Sequence, residues 1–286
     1  MRMVSAPVVL AWLTLAAPLA SQQGQAETLA AGGGTSGPAA AQPATPPDTL
    51  AASPSRTLQL LRRGDEAMAG LEPVAAIEAY QAAVASDPAN YEALWKSGRT
   101  LIDLGELEVR GNMQKDMYNK ALKYAERAIK VNPDGADGHF VRAYALGRVA
   151  LFEGGKTKIR LSREVRTEAL RAIDLDPLHD GAYHIMGDWN YSLADLNLME
   201  RMLANTLLGG VPKDASFENA AHYYQLAIQA NAGHLNHHVE LARTLLKLDR
   251  REEAVAELGK ALNLPATDLD DTQHRQRAQE LLDRLS

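Results

Sequence analysis

Residues 72–88 read EPVAAIEAYQAAVASDP, and this stretch decides the fold. Ala76, Tyr80 and Ala83 recur at steps of four and three residues, which places them on one face of an α-helix. Pro88 follows the apolar run and ends the helix, because proline lacks the backbone N–H that a helix interior requires. Alanine on this face lets a second helix approach closely. The stretch therefore predicts one member of a tightly packed helical pair.

The same pattern recurs in residues 117–133, 162–177, 218–233 and 251–265, with Gly233 in place of proline at the end of the third. If Gly64 is taken as position 8 of a unit, the recurring residues fall at positions 20, 24 and 27. This spacing is typical of a tetratricopeptide (TPR) unit. In chain order the positions hold Ala76, Tyr80, Ala83, Ala121, Ala125, Ala128, Val165, Ala169, Ala172, Ala220, Tyr224, Ala227, Ala254, Leu258 and Ala261.

A single unit cannot bury its apolar face alone, so such units stack into a solenoid. We therefore predict an all-α fold over residues 56–286, a TPR-like α-solenoid of about five helix-turn-helix units. Residues 273–285 have apolar residues at helical spacing and predict a C-terminal capping helix. The proline spacing exceeds the usual 34 residues of a TPR, and unit four has a further insertion near residues 192–215. We expect such insertions to form loops.

The first 26 residues are typical of a signal peptide. Arg2 precedes an apolar run over residues 8–19, which is shorter than the roughly 20 residues of a membrane span. Cleavage would export the protein to the periplasm or out of the cell, whereas an uncleaved segment would anchor it to a membrane. Residues 27–55 are rich in Ala, Pro and Gly and predict a disordered linker.

The amino-acid composition excludes several classes of function. A net charge of −6 argues against general nucleic-acid binding, and the absence of cysteine excludes disulfides and thiolate metal sites. His234, His237 and His238 lie close together at an expected helix start, where we interpret them as solvated rather than metal-binding. The sequence offers no combination of nucleophile, base and orienting group of the kind that catalysis requires. We predict a non-enzymatic protein without metal or cofactor.

The first helices of stacked units line the concave groove of a TPR solenoid. The positions that face this groove are rich in aromatic and arginine residues, which are common anchors of binding surfaces. The arginines are suited to hold a carboxylate or phosphate, while the aromatic residues are alternatively core. The predicted groove residues are Trp95, Arg99, Phe140, Tyr144, Arg148, His184, Asp188, Tyr191 and Arg243.

The insertion of unit four contains an apolar helix face. Its members recur at steps of three and four residues and include adaptable methionines. This face predicts either packing on the solenoid as core or a lid that touches a lipid. Its residues are Leu196, Met199, Met202, Leu203 and Leu207.

Residues 152–210, followed by residues 216–233, resemble the regulator of microtubule dynamics family. The segment with His184, Met186, Gly187, Trp189 and Tyr191 carries the most specific part of the match, which extends over residues 90–283. The resemblance implies a TPR-like domain without catalytic residues. Eukaryotic members are associated with microtubules, with the spindle, or with organelle membranes and contact sites where phospholipid is bound. This chain departs from them in its export-type start and alanine-rich linker.

The sequence predicts a binding scaffold whose groove holds a protein partner. The alternatives are a carrier of phospholipid or another amphiphile, and a microtubule-associated regulator as in the resembling family. A lipid site would be an enclosed apolar pocket of several hundred Å3, on the order of other small-molecule sites. The sequence leaves the oligomeric state open.

Overall fold

The computed structural model of the chain describes residues 54–198, 201–202, 212 and 214–285. The predicted signal peptide and the predicted linker up to residue 53 lie outside these residues. Within the described ranges the protein has eleven helices and no strand. The helices are α1 (Pro54–Ala69), α2 (Pro73–Ser86), α3 (Tyr91–Leu107), α4 (Gly111–Val131), α5 (Ala136–Ala150), α6 (Gly155–Leu175), α7 (Asp180–Ala194), α8 (Phe217–Ala230), α9 (Leu235–Lys247), α10 (Arg251–Asn263) and α11 (Asp271–Leu285).

Consecutive helices pair into five units, from α1 and α2 to α9 and α10, and each unit packs on the next. Helix α11 packs on α9 and α10 and caps the array, with Ala278 fully buried. The predicted all-α solenoid with a C-terminal cap is therefore confirmed. Helix α1 spans Pro54–Ala69 and so contains residue 56, the predicted start of the helical domain.

The recurring residues at positions 20, 24 and 27 of the five units are all buried, with at most 2% of their surface exposed. We call them the seam residues. In units one and four the tyrosine among them lies against a glycine of the facing helix. A Cβ atom on Gly64 would lie 2.3 Å from the Tyr80 ring, and one on Gly187 would lie 2.5 Å from the Tyr224 ring. Glycine is therefore required where these helices cross.

The long repeat periods come from long helices. Helices α4 and α6 each have 21 residues, whereas α2 and α8 have 14. Seven additional residues extend a helix by about 10 Å. The expectation that the extra residues form loops is wrong for units two and three, since an added helical turn satisfies its own backbone hydrogen bonds and a loop does not.

The turns between units share one hydrogen-bonding pattern. The side chains of Asp87, Asn132, Asp176 and Asn231 each accept a hydrogen bond from the backbone N–H two residues later, at 3.0–3.2 Å. This Asx turn replaces helical hydrogen bonding at the end of the second helix. It fixes the direction in which the next first helix starts, and so positions the concave face.

The insertion of unit four is described only in part. Leu196 is buried, whereas Met202 is exposed, and Met199, Leu203 and Leu207 lie outside the described residues. Across residues 54–198 and 214–285, none of the helices is long and apolar enough to cross a bilayer.

Candidate functional site

A cavity of about 90 Å3 lies on the concave face of the solenoid. The first helices of units two to five form its walls, and the segment that leads into α11 closes one side. The lining is mostly charged and polar. It comprises Arg99, Phe140, Tyr144, Arg148, Gly181, His184, Ile185, Asp188, His234, Asn236, His237, Glu240, Asp268, Asp270 and His274.

Six of the nine predicted groove residues line this cavity, namely Arg99, Phe140, Tyr144, Arg148, His184 and Asp188. The other three are not part of its lining. Trp95 packs against the core of units one to four, and Tyr191 belongs to the core of units four and five. The Arg243 guanidinium stacks over the Tyr191 ring, 4.5 Å from its centroid.

One half of the cavity carries two arginines that are already paired. Arg99 Nε donates to Asp103 Oδ1 at 2.9 Å, and Arg148 forms an ion pair with Glu106. Both guanidinium groups lie close to the Tyr144 ring, at 5.3 and 5.0 Å from its centroid. The positive charges of Arg99 and Arg148, two of the three arginines predicted to bind an anion, are thus balanced by carboxylates of α3. Burial raises the pKa of Asp103 to about 6, although Arg99 opposes this shift.

The other half contains a chain of histidines whose protonation follows from their partners. His237 Nε2 lies 3.2 Å from Asp180 Oδ2, so this nitrogen carries the proton and donates it. His237 Nδ1 then accepts from His184 Nδ1, at 2.9 Å. His184 Nε2 is left as an acceptor that faces the cavity. Burial lowers the pKa of both histidines to about 3, so both are neutral at pH 7.

Asp188 lies next to this chain. It accepts a hydrogen bond from the Tyr224 hydroxyl at 2.6 Å, and its Oδ1 lies 3.7 Å from His184 Nε2. Two acceptors therefore face each other at that point. Burial, followed by the negative charge of Glu240, raises the pKa of Asp188 to about 6.

Glu240 forms the floor of this half. Its side chain is only 2% exposed and forms ion pairs with Arg243 and with Arg277, the latter at 2.8 Å. Because Arg277 belongs to α11, this pair fastens the capping helix to the first helix of unit five. Arg243 is buried in the ion pair and does not face the cavity.

Sequence reasoning missed the contribution of the C-terminal segment. Asp268, Asp270 and His274 line the cavity although they follow the last unit. Their acidic and histidine content was a signal, but the sequence did not show that this segment turns back over the groove.

The interpretation of His237 and His238 as solvated is wrong. They are 1% and 4% exposed, because their rings bridge helices instead of facing water. His238 contacts Glu257 of α10 at 2.6 Å and the Ala232 carbonyl at 3.1 Å. In the part of the chain that the structure describes, no three histidine or acidic residues are grouped so that they would hold a metal ion.

The chain is similar in sequence and in fold to known proteins. The family model described as "Regulator of microtubule dynamics protein 1-3" matches residues 60–286. Regulator of microtubule dynamics protein 1 of Bos taurus is 30% identical over 193 residues, which are 67% of this chain and 61% of that protein. Regulator of microtubule dynamics protein 2 of Homo sapiens is 27% identical over 195 residues, 68% of this chain and 47% of that protein. The chain thus spans about three fifths or less of these curated relatives.

Among solved structures, a thermophilic TPR protein of Thermus thermophilus superposes with a TM-score of 0.57. It shares 19% identity, and the match covers 78% of this chain and 99% of that one. At this identity the likeness shows the TPR-type fold.

Proposed function

The chain belongs to the regulator of microtubule dynamics family, and from this premise we propose that it is a non-enzymatic scaffold that holds a segment of a partner protein. The observation that carries the proposal is the cavity on the concave face. First helices of four consecutive units contribute to it, so a bound segment would contact the whole middle of the array. A TPR array offers such a surface without any catalytic requirement.

The size and lining of the cavity favour a side chain over a lipid tail. Its volume of about 90 Å3 is well below the ~300 Å3 at the lower end of small-molecule sites. Most of its lining residues are charged or polar, whereas an acyl chain requires an apolar wall. Among the described residues, this cavity therefore supports a protein partner better than an amphiphile.

Site-directed photo-crosslinking in the cell that produces the protein tests the scaffold. A photoreactive amino acid would replace Tyr144, which lines the cavity, or Glu78, which is exposed on α2. We expect a discrete protein adduct from position 144 and none from position 78. Equal labelling from both positions, or no adduct from position 144, would count against a concave partner site.

The family provides a second candidate function, regulation of microtubules. The relatives carry that activity in their names, and the family model matches this chain over all five units. Co-sedimentation of the purified full chain with stabilised microtubules tests this candidate. Saturable pelleting that is reduced by substitutions in the cavity would support it, whereas a chain that stays in the supernatant would remove it.

A further inference from the structure

Units one and four place the same polar pair at the same position. In unit one, Asp65 follows Gly64 and accepts a hydrogen bond from the Tyr80 hydroxyl at 2.8 Å. In unit four, Asp188 follows Gly187 and accepts from the Tyr224 hydroxyl at 2.6 Å. Each tyrosine lies against the glycine that precedes its aspartate. The two carboxylates are thus equivalent in the repeat, and their other partners are open to direct comparison.

The two carboxylates differ in the residue that the next unit places beside them. Lys96, the sixth residue of α3, places its ammonium 2.6 Å from Asp65 and balances its charge. The sixth residue of α9 is Glu240, which stands where the lysine would be relative to Asp188. Within the described residues, no lysine or arginine nitrogen lies within 4.0 Å of Asp188. Unit four therefore keeps the carboxylate but lacks a directly paired cation, and Arg148 and Arg243 act on the pKa of Asp188 only from a greater distance.

The atoms around Asp188 are mostly acceptors. His184 Nε2 carries no proton, because His184 donates from Nδ1 to His237. Asn236 presents its Nδ2 to His184 Nε2 at a long 3.5 Å, which leaves its Oδ1 buried with no hydrogen-bond partner among the residues that the structure describes. In this half of the cavity, a carboxylate, an imidazole nitrogen and an amide oxygen are thus all acceptors, whereas Arg148 Nε, a buried donor without a partner among the described residues, belongs to the other half. Buried acceptors left in this way cost free energy, so a ligand that supplies donors would be stabilised.

From this arrangement we propose that the cavity receives the ammonium of a lysine or the guanidinium of an arginine from the partner segment, held by Asp188, His184 and Asn236. The proposal rests on the proposed function, since it names the side chain by which the scaffold would recognise its partner. A guanidinium offers five donors and an ammonium offers three. Either head group carries the positive charge that Lys96 supplies to Asp65 within this chain.

The remaining charges of the cavity agree with a cationic ligand. Arg99 and Arg148 are balanced by Asp103 and Glu106, so neither adds an unopposed positive charge. Across the cavity, Asp268 carries a further carboxylate, 3.3 Å from His234. The proposed cationic ligand is the opposite of the carboxylate or phosphate that the sequence predicts, and binding measurements distinguish the two.

Selection from a random peptide library displayed on phage, with the purified full chain as bait, tests the proposal. Asp188→Asn is the variant, because it keeps the shape of the side chain and removes the charge. Asp65→Asn is the matched control, because its equivalent carboxylate is already occupied by Lys96. Thermal melts of all three proteins would verify that they are folded.

We expect the wild type and Asp65→Asn to enrich peptides with one recurrent lysine or arginine, and Asp188→Asn to lose that preference. For an enriched arginine peptide, substitution of the arginine by neutral citrulline should weaken binding at least about tenfold, the usual worth of a hydrogen bond to a charged group. This second measurement changes only the ligand and does not depend on how the variant folds.

The contrary outcomes separate the two proposals. Enriched peptides that lack a basic residue, or that bind Asp188→Asn as well as the wild type, would overturn the cationic ligand and leave the scaffold standing. Failure to enrich any peptide would overturn both. If free arginine bound at Asp188 as tightly as the peptide, the ligand would be a small cation and not a side chain of a partner protein.

Discussion

Gly187 and Asp188 are neighbours in the sequence, yet they belong to two regions that follow different rules. Gly187 lies at the seam, where the Tyr224 ring leaves no room for a Cβ atom. Asp188 faces the cavity and accepts a hydrogen bond from the hydroxyl of the same tyrosine. The seam is built from small residues and is limited by volume. The cavity is built from charged residues and histidines, and is limited by which groups have partners. Substitutions should therefore fail for different reasons in the two regions.

The largest effect is expected at the floor of the cavity, with Glu240→Gln. This substitution leaves Arg243 and Arg277 without their shared carboxylate in a buried position. Removal of one partner of a buried ion pair costs about 3–5 kcal/mol, so urea denaturation should show a loss of that order in the free energy of unfolding.

Glu253→Gln is the control for this substitution. Glu253 pairs with Arg250 on an exposed surface, where water and salt screen the charges. Its denaturation midpoint should match that of the wild type. Equal midpoints for Glu240→Gln and Glu253→Gln would show that the buried ion pair is not what holds α11 to unit five.

A smaller effect is expected at the seam, with Gly187→Ala. The added methyl group meets the Tyr224 ring at 2.5 Å, and overpacking of this kind costs about 1–3 kcal/mol. Gly259→Ala is the matched control, since a Cβ at that position of α10 meets no atom within 4 Å. In a helix interior that exchange should stabilise by about 0.5–1 kcal/mol. Thermal unfolding of the two variants should shift in opposite directions, and a shift in the same direction would contradict a volume-limited seam.

The smallest effect is expected in the pH dependence of the free energy of unfolding, to which the histidine chain contributes and the seam does not. The pKa of His184 and of His237 is lowered to about 3 in the folded protein, whereas an unfolded histidine has a pKa near 6.5. Between these values the unfolded state binds more protons, so each histidine makes stability fall as the pH drops below about 6.5. Asp188 acts in the opposite direction, because its pKa is raised to about 6 and its charged form is disfavoured in the folded state.

His184→Gln isolates this contribution. Between pH 6.5 and 5, the wild type should lose about 1–2 kcal/mol more than the variant in the free energy of unfolding. Urea denaturation at the two pH values measures this difference, and Gly259→Ala should follow the wild type. Parallel losses in wild type and His184→Gln would indicate that the imidazole is not held neutral.

The sequence determined the helical class, the number of units, the seam residues and the capping helix. These features follow from short, periodic patterns, because a small residue every three or four positions acts within one helix and on its immediate neighbour. It also pointed to six residues that line the cavity, because the groove positions of a TPR unit recur with the repeat.

The tertiary structure alone decided how those cavity residues are paired. Arg99 meets a carboxylate on its own helix and Arg148 meets one on the first helix of the preceding unit, whereas Asp188 faces a glutamate 52 residues later at the position where Asp65 meets a lysine. Asp268, Asp270 and His274 reach the cavity because the chain turns back after unit five. The sequence shows which residues are charged. Whether such a charge can bind a ligand depends on which distant groups the fold brings within a few ångströms of it.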